Sequence, residues 1–291
     1  MVSSLLIAAL LQVDPAALVP LYRQALAARE QQFGATHPKT ARSASDLGLY
    51  LLKLGEREQA IAPLRRALEI DLAHSPNGSA VVAEDRENLA AALPPSPEAA
   101  ALLAQAAACT DAKIAARVLS KLGNLQERAG RPDLAAQSYR QALTHEETAA
   151  RLNDLALLLE PKSAEPLLRK SLALRQRESG ARHPETAVTM NNLANVLLAE
   201  GKLVEAERLQ REALAILEAA LGPHHPRVGV SCSNLGDVLR AKGDLAGATA
   251  LYKRTLAIDE KFYGPAHPET VADREKLQSI AEAQPRRSKS R

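Results

Sequence analysis

Hydrophobic residues recur with a helical period along most of the chain, and residues 185–221 show this pattern most clearly. In the first part of that stretch, one helical face carries Val188, Leu193, Ala194 and Leu197. In the second part, the same period selects Leu203, Ala206, Leu209, Ala213, Leu214 and Leu217. Such a period predicts two amphipathic helices, each with one apolar face that packs against a neighbour.

Glycine and proline mark where these two helices end and where the next helix begins. Gly201 follows the first apolar run, and we predict that it ends the helix in a left-handed conformation, which glycine adopts without steric cost. Gly222 follows the second run and is predicted to end that helix. Because a residue before proline avoids helical backbone angles, His225 is predicted to be extended and Pro226 to open the next helix.

The whole two-helix unit recurs along the sequence. The pattern Gly-x-x-His-Pro occurs four times, at residues 34–38, 180–184, 222–226 and 264–268. The last three copies are 42 residues apart, and residues 185–226 align with residues 227–268 without a gap. Self-similarity at a fixed period of this length is typical of a repeat protein, in which each unit buries its apolar face against the next.

The repeated unit matches a known pattern of residues. Its large residues, its Leu-Ala pair and its two alanines seven positions apart are supplied by Met190, Leu193, Ala194, Leu197, Ala206 and Ala213. This unit resembles the tetratricopeptide repeat (TPR), in the 42-residue form typical of kinesin light chains. The resemblance covers nearly the whole chain and implies an all-α fold, a right-handed α-α superhelix (a solenoid) of antiparallel helix pairs. The second and fourth units depart from the pattern, because their turns around Pro94 and Pro161 are shorter.

The repeat divides the chain into segments. We place six TPR helix pairs within residues 40–268, at 40–73, 79–109, 112–146, 148–179, 185–221 and 227–262. Residues 1–39 are assigned to N-terminal half-repeat helices and residues 269–283 to a C-terminal capping helix, because terminal repeats need a cover for their apolar faces. Residues 284–291 are expected to form a basic, disordered tail.

Composition and charge favour a helical array and narrow the possible partners. Aromatic residues make up 2% of the chain, whereas alanine and leucine dominate it. Alanine and leucine are strong helix formers, while sheets favour valine, isoleucine, threonine and aromatic residues. The formal net charge is +3, but the basic residues of the segment 284–291 account for it. We therefore predict no basic groove and no nucleic-acid partner.

Cysteine usage and hydropathy exclude further classes of protein. Cys109 and Cys232 form neither a disulfide framework nor a zinc motif, and since no cofactor motif occurs we expect no cofactor. The chain has no run of 18 apolar residues, so stable membrane insertion is not expected. Two reduced thiols favour a cytoplasmic location. The alternative is an exported or periplasmic protein, if residues 1–12 act as a short signal segment.

The recurring histidines are predicted to cap helices rather than to bind a metal. Each Gly-x-x-His-Pro histidine belongs to a different inter-repeat loop. A metal ion needs ligands that converge to within about 2 Å of it, which residues one repeat apart do not provide. The sequence also contains no nucleophile motif, phosphate loop or metalloprotease motif. We therefore predict that the protein is not an enzyme.

The first helix of each pair, helix A, carries the candidate binding residues. In the TPR family, A helices line the concave surface of the solenoid, where polar side chains contact partner peptides. The resemblance places eight polar residues on that surface: Asn88, Asn124, Asn153, Asn191, Asn192, Asn195, Asn234 and Asp237. Asparagine is a poor helix-interior residue, so its recurrence needs a reason.

Two explanations for the recurring asparagines remain open. Two functions of the protein also remain open. An asparagine offers a donor and an acceptor to a peptide backbone; alternatively, it hydrogen-bonds a neighbouring repeat and holds the superhelix together. The sequence favours a non-enzymatic scaffold or adaptor for protein–protein interaction, whose concave groove binds a peptide segment of a partner protein. The alternative is a regulatory sensor, in which a bound peptide or ligand changes the curvature of the solenoid.

Overall fold

The computed structural model describes residues 15–283, and it is entirely helical apart from its turns. This part of the chain forms fourteen α-helices and one short 3-10 helix, Pro15–Leu18, and it contains no β-strand. The predicted all-α fold class is therefore confirmed. The signal segment considered for residues 1–12 and the basic tail at 284–291 lie outside the described residues.

The chain divides into two compact units, an N-terminal unit, Met1–Glu147, and a C-terminal unit, Thr148–Arg291. The N-terminal unit contains α1 (Val19–Phe33), α2 (Pro38–Lys53), α3 (Arg57–His74), α4 (Ala80–Ala92), α5 (Pro97–Ala106), α6 (Ala112–Arg128) and α7 (Pro132–His145). The C-terminal unit contains α8 (Ala149–Ala156), α9 (Pro161–Glu178), α10 (Pro184–Ala199), α11 (Leu203–Leu221), α12 (Pro226–Ala241), α13 (Leu245–Phe262) and α14 (Pro268–Ala283). Within each unit, consecutive helices joined by short turns pack against each other.

The Gly-x-x-His-Pro loops begin four helices in the same way. In each loop, Nδ1 of the histidine accepts a hydrogen bond from the backbone N–H two residues later, at 3.1 to 3.3 Å, as seen for His37, His183, His225 and His267. The predicted capping role of these histidines is confirmed, and His225 is extended with ψ of 140°. Three loops contain a further bond, from a threonine hydroxyl to the loop glycine carbonyl at 2.8 to 2.9 Å, made by Thr40, Thr186 and Thr270.

Two glycines occupy positions that larger residues would strain. Gly201 follows α10 with φ of 75°, which confirms the predicted left-handed ending of that helix. Gly236 lies inside α12, and a Cβ atom there would lie 2.6 Å from the ring of Tyr252 on α13. The Leu-Gly pair of the repeat therefore lets a helix A approach a bulky side chain of its helix B.

Each unit has its own apolar core between the helices. Leu51, Leu64 and Leu89 are buried in the N-terminal unit, and Leu193 and Leu197 are buried in the C-terminal unit. Small alanines fill many of the remaining contacts, and a few tyrosines, among them Tyr139 and Tyr252, are also buried, so the helices pack closely. No helix of the described chain is long and apolar enough to cross a membrane.

Cys232 occupies an interior packing position of the C-terminal unit, as its place in the repeat predicts. The residue has no exposed surface. Burial raises the pKa of its thiol to about 11, so the thiol remains protonated at neutral pH. The second cysteine, Cys109, is also buried. Both residues therefore contribute to packing, and the protonated thiol of Cys232 is unsuited to thiolate chemistry.

Candidate functional site

The helices that occupy the A position carry the candidate binding residues. These helices are α2, α4 and α6 in the N-terminal unit, and α8, α10 and α12 in the C-terminal unit, where α14 follows as the predicted cap. Among the eight candidates, Asn124 and Asn195 are exposed, Asn191 is buried, and the other five are half-buried. These differences in exposure show that the eight residues do not form one uniform surface. The residues also differ in their hydrogen-bond partners.

Asn153 and Asn192 join two A helices of the C-terminal unit. Nδ2 of Asn192 on α10 donates to Oδ1 of Asn153 on α8 at 2.8 Å. Asn153 in turn donates to the carboxylate of Asp154 at 3.5 Å. Burial raises the pKa of Asp154, and the hydrogen bond from Asn153 partly offsets this effect. This pair of asparagines therefore bridges neighbouring repeats.

Asn191 and Asn195 are held by a glutamine that the sequence did not single out. Gln210 on α11 donates from Nε2 to Oδ1 of Asn195 at 2.9 Å and to the backbone oxygen of Asn191 at 3.3 Å. The Oδ1 atom of Asn191 accepts a hydrogen bond from Ser231 on α12 at 3.3 Å. Asn191 is only 6% exposed, so its side chain connects repeats within the protein.

Asp237 belongs to a second network, which connects α12, α13 and α14. Its Oδ1 atom accepts from the hydroxyl of Tyr252 at 2.6 Å, and its Oδ2 atom accepts from Nζ of Lys276 at 2.9 Å. Lys276 also donates to Oγ of Ser233 at 2.8 Å. Burial, together with the neighbouring Asp237 carboxylate, raises the pKa of Tyr252. The predicted capping helix α14 is therefore linked to the last helix pair by a charged side chain.

Asn234 differs from its neighbours on the same face. It is half-buried on α12, and its side chain makes no hydrogen bond to residues 15–283 of the protein. The amide of Asn234 is therefore available to an external group, unlike that of Asn191.

In the N-terminal unit, the A-helix face is organised by an ion cluster around Glu87. This carboxylate on α4 accepts hydrogen bonds from Arg117 at 2.8 Å and lies 2.5 Å from Nζ of Lys121, both on α6. Burial alone would raise the pKa of Glu87, but the two cations outweigh burial and lower it below its usual value. The cluster fixes α6 relative to α4.

Asn88 and Asn124 lie beside this cluster but line different cavities. Asn88 borders a cleft of about 460 Å³ between α2 and α4. Asn124 borders a smaller pocket of about 190 Å³, next to the shortened turn that contains Pro94 and Pro95. Asn124 donates to the backbone oxygen of Ser120, one turn earlier in its own helix, at 3.0 Å. The structure therefore does not bring the two N-terminal candidates into one site.

Three helix-B residues outside the predicted site share one register, and the sequence indicates this position for the two tyrosines but not for Gln210. Tyr139, Gln210 and Tyr252 each lie three residues before the recurring alanine or threonine of helix B. Each donates a hydrogen bond to helix A of its own pair, to Glu127, Asn195 and Asp237 respectively. An alignment of the repeats reveals this signal, because Gln210 is a polar residue in a position otherwise filled by large apolar or aromatic side chains.

Comparisons with known proteins agree with this architecture. A sequence profile described as "Tetratricopeptide repeat" matches residues 6–73, 147–219 and 189–261, and a second profile with the same description matches residues 118–151. No curated protein sequence matches significantly.

Two solved structures are similar to the chain in fold. One is the crystal structure of BtubC (BKLC) from P. vanneervenii, which is 21% identical with a TM-score of 0.50; the match covers 96% of this chain and 98% of that chain. The other is the APC/C hetero-tetramer Cut9-Hcn1, which is 14% identical with a TM-score of 0.57; that match covers 91% of this chain and 48% of that chain. Since the repeat profiles match more than half of the sequence, the chain belongs to the tetratricopeptide repeat family.

Proposed function

We propose that the protein is a non-enzymatic interaction scaffold, and that its A helices bind a segment of a partner protein. The observation that carries this proposal is that some polar residues of the A helices are held by internal hydrogen bonds while others are exposed to solvent. Internal hydrogen bonds hold Asn153, Asn192 and Asn195 in place, while Asn124, Asn195 and Asn234 remain wholly or partly accessible.

The arrangement suits recognition of a peptide backbone. Each accessible asparagine offers an N–H donor and a carbonyl acceptor, and a peptide backbone presents the complementary groups at every residue. Because internal hydrogen bonds already position Asn124 and Asn195, these two side chains lose less conformational entropy on binding than flexible side chains would. Several such contacts add up to a specific interaction without a deep pocket.

The test compares partner capture by matched variants of the full chain. Asn124→Ala with Asn234→Ala removes two accessible amides that make no hydrogen bond to another helix of the described chain, so the variant should remain folded. A tagged wild-type chain is used to capture proteins from extract of the source cells, and captured proteins are identified by mass spectrometry. The partner is then purified and its affinity for each variant is measured by calorimetry.

We expect the double variant to bind the purified partner at least tenfold more weakly, which corresponds to about 1.4 kcal/mol. The control is Gln137→Ala, which removes an exposed amide from α7, a helix B, and should leave the affinity unchanged. Equal affinity of the wild type and the double variant would overturn the proposal. Weakened binding by the Gln137 variant alone would instead place the binding surface on the B helices.

A further inference from the structure

The cleft between α2 and α4 is strongly acidic. It is about 460 Å³ in volume, and its charged lining consists of four carboxyl groups and one guanidinium, those of Asp46, Asp71, Glu84, Asp85 and Arg42. Glu84 has one weak cationic neighbour outside this set, Arg117 on α6 at 3.9 Å. Since Arg117 is already engaged by the Glu87 carboxylate at 2.8 Å, the cleft retains an excess of negative charge.

Two of these carboxyl groups form a buried pair at the floor of the cleft. Asp85 is 4% exposed and Asp71 is 7% exposed, and the two carboxyl groups lie close enough to affect each other electrostatically. Oδ1 of Asp85 accepts from Ser45 on α2 at 3.5 Å, whereas Oδ2 accepts from no donor in the described part of the chain. Burial, together with Asp71, raises the pKa of Asp85 to about 8.

The C-terminal unit contains an equivalent pair, which shows what the cleft lacks. Asp259 on α13 and Asp273 on α14 occupy the same repeat positions as Asp71 and Asp85, and they are also buried. Burial raises the pKa of Asp273 to only about 6, and Lys276 is among the neighbours that lower it. No cation contributes to the pKa of Asp85. The N-terminal pair therefore lacks a cationic neighbour like Lys276, and Arg42, which lines the cleft, is not among the groups that shift the pKa of Asp85.

Apolar side chains lie beside the acidic groups of the cleft. Leu49 on α2 is 42% exposed and Val81 on α4 is 40% exposed, and both line the cleft. Exposed leucine and valine next to a charged floor form a surface for a ligand that carries a cation and an apolar group side by side.

We propose that this cleft binds a basic segment of a partner protein, with an arginine against the carboxyl groups of Asp46, Glu84 and Asp85 and an adjacent apolar residue on Leu49 and Val81. A guanidinium suits the site because its planar donors pair with two carboxylate oxygens at once. This inference rests on the proposed function and specifies the class of partner segment for the N-terminal unit.

Binding of an arginine should release a proton. A cation in the cleft favours the charged form of Asp85, which is mostly protonated in the free protein at neutral pH. Above about pH 8 that proton has already dissociated, so the ligand no longer has to displace it. Affinity should therefore be higher at pH 8.5 than at pH 6.5, and arginine itself stays charged at both values.

The experiment uses the full chain and a dye-labelled probe peptide with blocked ends, in which arginine alternates with leucine. Fluorescence anisotropy gives the affinity at both pH values, in about 0.15 M salt to suppress long-range attraction. We expect the wild type to bind several-fold more tightly at the higher pH. D46N with E84Q, at the exposed rim, should weaken binding about tenfold. D85N should bind equally at both pH values, and D273N, in the equivalent pair, should behave as the wild type.

Three results would overturn the inference: no binding of the arginine peptide, binding that D46N with E84Q leaves unchanged, or equal binding of a peptide with glutamate in place of arginine. If the affinity of D85N for the peptide still depends on pH, Asp85 is not the group that titrates in the binding site. The arginine peptide could fail to bind while partner binding still depends on Asn124 and Asn234. That result would refute the assignment of a basic segment to the cleft but would leave the proposed function supported.

Discussion

At the scale of single residues, one position of helix B determines how the polar residues of helix A are held. Tyr252 and Gln210 occupy this position in successive repeats, and each donates to the residue that follows the Leu-Gly or Leu-Ala pair. The acceptors are Asp237 and Asn195. These two acceptors therefore stabilise their own helix pairs, and only their remaining accessible surface can contact a ligand.

Asn191 and Asn234 should respond differently to truncation. Asn191→Ala leaves the hydroxyl of Ser231 without its acceptor in a buried site, which should cost about 1–3 kcal/mol of stability. Asn234→Ala removes no hydrogen bond within the described chain and places a better helix former in α12, so stability should stay the same or rise by a few tenths of a kcal/mol. Urea denaturation measures both effects, and equal losses would contradict the assignment of these two roles.

The pair of Asp71 and Asp85 should make stability fall with rising pH. The pKa of Asp85 is about 8 in the folded protein and 3.8 in the reference state, so between these values the folded state binds more protons than the unfolded state. The free energy of unfolding then decreases as pH rises.

Asp85→Asn should remove this part of the pH dependence, which is on the order of a few kcal/mol. Chemical denaturation of the wild type and the variant at about pH 5 and about pH 8 measures the difference. Asp273→Asn should have a smaller effect, because the pKa of Asp273 is raised only to about 6. Parallel losses of stability in the wild type and in Asp85→Asn would show that Asp85 does not hold the proton.

At the scale of helices, the turns follow rules that are readable in the sequence. The Gly-x-x-His-Pro loops contain the predicted histidine caps, and the glycine after α10 has the predicted left-handed conformation. The local chemistry of proline, glycine and a capping side chain sets these features, so no distant contact is needed to predict them.

Gly201 offers a test of this local control. Gly201→Val should destabilise the protein by about 1 kcal/mol or more, because a β-branched residue is strained at φ of 75°. Gly201→Asn should cost less, because asparagine tolerates the left-handed region. No neighbouring atom lies within 4 Å of a Cβ placed at this position, so a steric clash would not account for the difference. Thermal unfolding of both variants checks the order, and equal losses would contradict it.

Contacts between helices are harder to predict from the sequence than the helices themselves. The hydrophobic period predicted where helices form, and the repeat predicted which of them pair. The partners of Asn191 and Asn192 lie on other helices, about one repeat away in sequence. Their identity depends on the rotation of each helix, which a period of three to four residues does not determine. The pairing of Asp71 with Asp85 was not predicted for the same reason. No local sequence pattern indicates that two acidic residues on successive helices lie close together.

At the scale of the whole molecule, the A helices and the B helices carry different kinds of side chain. A helices carry the asparagines and most of the acidic cleft, to which Asp71 on the B helix α3 also contributes. The B helices otherwise mainly supply buried side chains that support the A helices. Exposed apolar residues occur on both kinds. Leu49 on α2 and Leu157 directly after α8 follow the Leu-Gly or Leu-Ala pair of an A helix, and Val204 on α11 and Phe262 on α13 belong to B helices.

These four side chains provide the most direct test of where a partner binds. Hydroxyl-radical footprinting of the chain, alone and with its captured partner, reports the solvent exposure of each one. Our account predicts that the partner protects Leu49, Leu157 or both, and that Val204 and Phe262, which are 78% and 64% exposed in the free chain, react equally in both states. Protection of Val204 and Phe262 with unchanged reactivity of Leu49 and Leu157 would contradict it.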